Sequence, residues 1–290
     1  MLFIPGANPK QLIFAATMGA DAIIFDLEDS VSPLEKDSAR ILVRNVVKTL
    51  DFSSIEVIVR VNSLNSPYWE EDLEEIVPLC PSLIMTPKTE TADDVKTFSE
   101  AIAKIEEKHG MEKGSVGLIP LIETALGIEN SFNIAIADKR VKAIFLGGED
   151  YTADMQCKRT PGGNEIDYAR KRIVNAARAA RVEVYDTPFT DAHDDEGIWE
   201  DARYAKSLGF TGKSSISPRH VDAINECFSP SQADIDYAYA VIEAIEEGKK
   251  RGQGVVALKG KMIDAPVVTR ATQTIAIAEA LGLERSPKNE

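Results

Sequence analysis

Two carboxylates occupy matched places in the chain. Glu123 ends the run Val116-Gly-Leu-Ile-Pro-Leu-Ile-Glu-Thr124, and Asp150 ends Ala143-Ile-Phe-Leu-Gly-Gly-Glu-Asp-Tyr151. Each run reads as a buried strand, and each leads into a helix-like segment. An acid at such a junction has two readings. It can cap the following helix, because negative charge favours helix N-termini. It can also face a cleft, and two such acids on neighbouring strands make a hard, oxygen-rich site suited to Mg²⁺. The matched pair favours the metal. Glu149 competes with Asp150, since alternation along a strand turns one of them inward and the other away.

Arg60 interrupts the apolar run Val57-Ile-Val-Arg-Val-Asn62 near its end. An Arg in such a strand needs a partner, because an unpaired buried charge is costly. Asp26, Glu28 and Asp29 at the end of the preceding run are the candidates for an internal ion pair. The functional reading is a fixed fork for a substrate carboxylate or a developing oxyanion, and the two are compatible. Glu28 and Asp29 then hold Arg60 or water ligands of the metal from behind. Lys88, in Thr86-Pro87-Lys88, reads either as a Schiff-base lysine or as a cation that tempers the carboxylates or meets a phosphate. Asp264, in Gly260-Lys-Met-Ile-Asp-Ala-Pro266, taken alone reads as a helix N-cap before Pro266. His109, His193 and His220 show no ligand spacing.

The segments that carry these residues follow one order. Apolar runs at Leu2–Gly6, Ala22–Leu27, Glu56–Asn62 and Leu83–Pro87 precede the two acid-bearing runs, and Glu183–Thr187 and Gly212–Ser217 follow them. Helical patterns lie between, at Pro9–Gly19 with Asn8 as cap, from the turn after Pro33 to about Leu50, and at Ala92–Lys108, Glu165–Arg181 and Ile198–Leu208. Fully apolar strands alternating with helices predict a parallel sheet buried on both faces. Eight such units over ~230 residues predict a closed (β/α)₈ barrel rather than an open doubly wound sheet. No GxGxxG follows the first run, which counts against a dinucleotide fold. The barrel is expected over residues 1–228. Residues 229–290 form a C-terminal extension, with helices at Gln232–Arg251 and Val267–Leu281, that packs on the barrel or over a neighbouring subunit.

The composition excludes several function classes. Lys plus Arg count 33 against 47 Asp plus Glu, a net charge of −14, which argues against nucleic acid or an anionic membrane as main partner. Cys80, Cys157 and Cys227 are scattered, with no CxxC, so neither a zinc site nor a disulfide framework is expected and a reducing, cytoplasmic setting fits. Met1–Gly6 has no basic segment leading into an apolar core, so no signal peptide is expected. No stretch reaches the ~18 apolar residues that span a bilayer.

Seven motifs in this order carry a resemblance: Leu2-Phe-Ile-Pro-Gly-Ala-Asn8, Phe25-Asp-Leu-Glu-Asp-Ser-Val31, Val59-Arg-Val-Asn62, Leu121-Ile-Glu-Thr124, Gly147-Gly-Glu-Asp-Tyr151, Gly209-Phe-Thr-Gly-Lys213 and Gly260-Lys-Met-Ile-Asp264. Across nearly its whole length the chain resembles the β subunit of citrate lyase and its stand-alone relatives among the HpcH/HpaI-type aldolases. The resemblance implies a barrel, usually trimeric, that cleaves a 3-hydroxyacyl thioester of coenzyme A or an acyl carrier protein by a Mg²⁺-dependent retro-Claisen reaction. By motif, Glu123 and Asp150 bind the metal, Glu123 and Arg60 meet the substrate, and Asp264 of a neighbouring subunit handles the proton on the acetyl carbon. Citrate lyase α and γ subunits are the further partners implied. Two departures bear on substrate choice. Relatives often carry a basic segment before Phe-Ile-Pro-Gly, and this chain has Ser217-Pro218 where many thioester lyases have His-Pro and citrate lyase β subunits tend to have Asn. A malyl- or citramalyl-CoA lyase, or a condensing enzyme, would use the same residues. A non-catalytic docking subunit is the alternative of another class, and the retained Glu123, Asp150, Arg60 and Asp264 argue against it.

Overall fold

The apolar runs become strands and the periodic segments become helices. The computed structural model describes residues 1–252 and 254–287; residue 253 and residues 288–290 of the expected extension lie outside them. The chain divides into a first unit, Met1–Asn225, and a second that begins at Glu226.

The first unit runs β1 (Leu2–Pro5), α1 (Pro9–Phe14), β2 (Ala22–Asp26), α2 (Lys36–Thr49), β3 (Glu56–Arg60), α3 (Trp69–Ile76), β4 (Leu83–Thr86) and α4 (Ala92–Lys108). It continues with β5 (Gly117–Ile122), α5 (Ala125–Ala135), β6 (Ala143–Leu146), α6 (Gly148–Asp154), α7 (Asp167–Ala180), β7 (Glu183–Asp186), α8 (Asp195–Leu208) and β8 (Gly212–Lys213). Strand order in the sheet is sequence order, with parallel neighbours throughout. Ser215, just past β8, closes the ring: Phe3 N donates to its carbonyl at 2.9 Å and its own N donates to Met1 O at 3.0 Å. The fold is a (β/α)₈ barrel.

Local chemistry sets the helix ends. Asn8 Oδ1 accepts from Gln11 N, with Pro9 in the first turn, and Thr91 and Asp94 form a capping box for α4. α1 stops at Phe14 and tightens into a 3₁₀ turn over Ala15–Thr17, short of the Gly19 expected from periodicity. α3 goes beyond what the sequence pattern suggested. It is a short, mostly acidic helix, and only Leu73, Ile76 and Asp72 of it are buried.

Parity along the strands decides what reaches the mouth. Ala22, Ile24, Ile58, Met85, Ile119, Leu121, Ala143 and Phe145 form one cluster, with Phe3 and Tyr185 packed against it. Residues from seven strands meet there, so these positions face the barrel axis. Side chains alternate with period two, so two residues further on the inward positions are Asp26, Arg60, Glu123, Gly147 and Thr187. Three ionisable groups, one glycine and one hydroxyl therefore point into the mouth, and Asp186 points outward, toward the helices.

α9 (Val221–Phe228) contains the boundary between the units. The second unit holds α10 (Gln232–Lys250), an antiparallel hairpin of β9 (Val256–Leu258) and β10 (Lys261–Ile263), and α11 (Ala265–Ala280). Its own core joins Ala238 and Val241 of α10 to Ile263 and Ala271.

Candidate active site

A pocket of about 420 Å³ opens at the C-terminal ends of the strands. Phe3 and Phe145, edge to face at 6.0 Å, line its apolar part, and Asp26, Arg60, Glu123 and Asp150 its polar part. A larger depression of about 830 Å³ lies among α2, α3 and α4, crowded with Glu70, Glu71, Glu74 and Glu75. No strand-end residue reaches it, so the chemistry belongs to the smaller pocket.

Arg60 is pinned before any ligand arrives. Its Nε and Nη2 donate to Asp26 Oδ1 and Oδ2 at 2.6 and 2.7 Å. Nη1 lies 3.2 Å from Glu28 Oε2 and 3.7 Å from Asp29 Oδ2. The guanidinium sits 5.2 Å from the Phe3 ring centre. Asp26 is saturated by two further bonds from the N–H groups of Glu28 and Ser30. Burial pushes Asp26 toward its neutral form, but Arg60 and these donors outweigh burial and hold the carboxyl below its usual value. Of the three acids offered as partners, Asp26 is the bidentate one. Glu28 and Asp29 touch the fork from one side, leaving N–H groups of a planar donor for an anion in the pocket.

Glu123 follows β5 directly, and Thr124 takes the capping role: its side chain accepts from Gly127 N. Glu123 is therefore free of the helix. It is 2% exposed, and Oε1 accepts from Lys88 N at 2.7 Å. Burial, then the charges of Asp150 and Glu28, push its carboxyl well above the usual carboxylate range, against the pull of Arg60. The inward position opposite it is Gly147, where a Cβ would lie 2.5 Å from Glu123 Cβ and 2.6 Å from Oε2. Glycine there makes the room the carboxylate occupies.

Asp150 is not on a strand. β6 ends at Leu146, and Asp150 sits in the first turn of α6. The Gly147-Gly148 pair ends the strand four residues earlier than the sequence suggested, so strand alternation does not decide between Glu149 and Asp150. Environment does. Glu149 has a 63% exposed side chain near Arg159 Nε at 3.6 Å, whereas Asp150 is the acid whose charge acts on Glu123.

Two carboxylates in one pocket, one driven toward protonation by its burial and then by the charge of the other, are a donor set that a hard divalent cation would relieve. Among the described residues no cluster of three or more His, Cys, Asp or Glu is arranged around one point. A two-carboxylate set fits Mg²⁺, which keeps several waters of its own.

Lys88 is held in the left-handed region at φ 50°. The turn brings its backbone N–H to Glu123 while its Nζ pairs with Glu28 and lies 3.5 Å from Asp29. Burial lowers its proton affinity, but the Glu28 hydrogen bond and the nearby acids raise it further, so the ammonium stays charged. A Schiff-base amine needs the opposite, and the cationic reading prevails.

Asp264 belongs to the second unit, where it is the N-cap of α11 and accepts from Val267 N at 3.3 Å. The first unit thus brings together Arg60, Glu123, Asp150, Glu28 and Asp29, and Asp264 belongs to the chain's other unit. Sequence reasoning passed over Thr187, Gly147 and Gly148. Carrying the inward parity of Tyr185 and Phe145 two residues onward would have found the first two.

The geometry agrees with comparisons to known proteins. Residues 1–218 match the family model described as HpcH/HpaI aldolase/citrate lyase. The chain is 42% identical over 289 residues to the citrate lyase subunit beta of Leuconostoc mesenteroides subsp. cremoris, covering 100% of this chain and 96% of that one. It is 31% identical to the mitochondrial citramalyl-CoA lyase of Homo sapiens, over 97% of this chain and 85% of the relative. Among solved structures, the CitE protein of Mycobacterium tuberculosis in complex with magnesium, acetoacetate and coenzyme A superimposes with a TM-score of 0.78 at 29% identity, covering 96% and 97% of the two chains. The chain therefore belongs to the HpcH/HpaI aldolase/citrate lyase family and is a carbon–carbon lyase.

Proposed function

We propose that this chain cleaves a citryl thioester, on coenzyme A or an acyl carrier protein, to oxaloacetate and an acetyl thioester. The observation that carries the reading is the pairing of buried Glu123 with Asp150 beside a pre-formed Arg60 fork. Identity to citrate lyase beta subunits exceeds that to citramalyl-CoA lyase, which favours citryl over the smaller acyl groups.

Glu123 and Asp150 would hold Mg²⁺. When bound, Mg²⁺ supplies positive charge at the substrate hydroxyl and its adjacent carboxylate. Arg60, immobilised by Asp26, contributes a second positive charge on the oxygen that becomes the ketone of oxaloacetate, without reorganising during the reaction. The hydroxyl gives up its proton to solvent water in the open pocket, the C–C bond breaks as the alkoxide oxygen becomes the ketone, and the bonding pair leaves with the acetyl carbon as a thioester enolate. Asp264 of a neighbouring subunit protonates that carbon. Phe3 and Phe145 keep this part of the pocket apolar, which strengthens each electrostatic contact. The same reading makes the chain a cytoplasmic homotrimer whose second unit packs over the next subunit, with citrate lyase α and γ subunits as further partners.

The test is turnover of citryl-, malyl- and citramalyl-CoA and of citryl carrier protein with Mg²⁺. Citryl thioesters should be preferred. Glu123→Gln and Asp150→Asn should lower kcat by at least about a hundredfold while the thermal midpoint holds. Turnover like wild type in either variant removes the metal assignment.

A further inference from the structure

Four charged side chains that take no part in the pocket are sealed behind it. Asp186 ends β7 on the outward parity, and Lys213 ends β8. Arg170 of α7 and Asp201 of α8 complete the group. All are at least nine-tenths buried, at 0, 1, 1 and 8% exposure. Arg170 grips Asp186 bidentately at 3.0 and 2.8 Å and reaches Asp201 at 2.6 Å. Lys213 Nζ lies 2.7 Å from Asp186 Oδ2 and 2.6 Å from Asp201 Oδ2. Two positive and two negative charges cancel.

Such a cluster is poor evidence of stability, since well-packed apolar residues of similar volume often do as well. Its geometry suggests a different use. Besides Asp186 Oδ2, Lys213 Nζ donates to the carbonyl of Thr187, at 2.6 Å. Thr187 stands on the inward parity and lines the pocket. Its Oγ1 accepts from Gly148 N at 3.0 Å. Gly148 opens α6, and the residue before it, Gly147, has no side chain to cap that helix. Thr187 supplies the missing acceptor from just beyond the end of β7. The approach is close: a Cβ at Gly148 would lie 2.9 Å from Thr187 Oγ1. Two residues later the helix carries Asp150.

Building on the metal reading of Glu123 and Asp150, we propose that the buried cluster of Arg170, Asp186, Asp201 and Lys213 is a positioning device. Lys213 fixes the Thr187 backbone, Thr187 fixes the first turn of α6, and that turn sets Asp150 against Glu123. Lys213 and Thr187 are positioning residues for the cation and touch no reacting atom. The short, uncapped α6 would otherwise fray at the end where the ligand sits.

The test is Mn²⁺ affinity without substrate, read by electron paramagnetic resonance on the full chain. Outer-shell changes of this kind cost roughly ten- to a hundredfold in metal affinity. Thr187→Val keeps the shape, disturbs no buried charge and removes the acceptor; it should weaken Mn²⁺ binding about tenfold or more. Thr187→Ser restores the hydroxyl and should recover most of that affinity, with thermal midpoints of both variants close to wild type. Lys213→Met should follow Thr187→Val; should it not fold, the Thr187 pair decides. Wild-type affinity in Thr187→Val, or no rescue by Thr187→Ser, overturns the positioning. Asp150→Asn separates this from the underlying reading. Absence of Mn²⁺ binding in wild type, or full binding by Asp150→Asn, overturns the metal site and this proposal with it. Loss in Asp150→Asn beside intact binding in Thr187→Val overturns the positioning alone.

Discussion

Lys88 shows how much one backbone angle can do at the scale of a residue. In an extended strand its side chain and its N–H would lie on a fixed alternation. At φ 50° the residue instead offers its N–H to Glu123 and its ammonium to Glu28. A non-glycine residue in this region costs of order 1 kcal/mol or more and persists only where the surroundings hold it. The held geometry serves two acids at once, and it keeps the amine protonated. Two outcomes follow for one residue. Borohydride treatment with oxaloacetate or pyruvate should leave no covalent adduct on Lys88 by mass spectrometry, and an adduct there would restore the Schiff-base reading. Lys88→Met leaves Glu28 to Arg60 alone and preserves the N–H to Glu123. It should lower kcat/KM by about tenfold, the equivalent of about 1.4 kcal/mol of lost charge-assisted contact. The acids and the fork were legible in the sequence because strand-end charges after apolar runs stand out by type. The Lys88 turn was not, because a positive φ at lysine leaves no mark on residue type.

At the scale of elements, the strands were legible and the joints were not. Apolar runs of four to six residues mark β2 and β5 at once, since burial on both faces leaves no polar interruption. β6 is shorter than its run suggests because Gly147-Gly148 begins a helix, and that moved Asp150 off the strand. Beyond the mouth, another joint is made by a buried acid. Glu106 of α4 accepts from Gly114 N and Val116 N at the entrance to β5 and pairs with Arg140, before β6, at 2.6 and 2.5 Å. It ties one helix to the starts of two strands. Burial works against the charge, but Arg140 and the two N–H groups outweigh it and hold the Glu106 pKa at about 2. A depressed carboxyl contributes stability that is complete above its unfolded value near 4.5 and is lost as pH falls through about 2. Glu106→Gln should therefore cost about 3 kcal/mol at pH 7. It should also lose less of its thermal midpoint than wild type between pH 4.5 and pH 2. Calorimetry across that range checks both, and an unchanged acid limb would remove Glu106 from the account.

At the scale of the whole molecule, the division of labour between the two units is the point of interest. The first unit supplies a pocket with a cation fork and two acids, and every one of these groups is engaged in holding charge or geometry. Arg60 is fixed by Asp26, Lys88 by Glu28, and Glu123 and Asp150 are the pair proposed to hold the cation. None of them is a free acid for the carbon that receives a proton. Among the described residues the carboxylate of Asp264, at the start of α11, accepts one hydrogen bond, from Val267 N, and a carboxylate has room for several. The proposal that it serves the neighbouring subunit makes a sharp prediction. Asp264→Asn keeps a residue that caps helices well, so it should bind metal normally while kcat falls about a hundredfold or more, as for loss of a general acid. Arg60→Ala should also be nearly inactive. When the two variants are co-expressed and assemble at random, a site is complete only where an Arg60-bearing barrel meets an Asp264-bearing neighbour. That arrangement arises in about a quarter of sites in a closed ring, so activity should return to about a quarter of wild type. Separately purified variants that are mixed without exchanging subunits should show none. Failure of the co-expressed protein to regain activity would place the proton donor within the same chain, or on another residue, and would leave the second unit without a catalytic task.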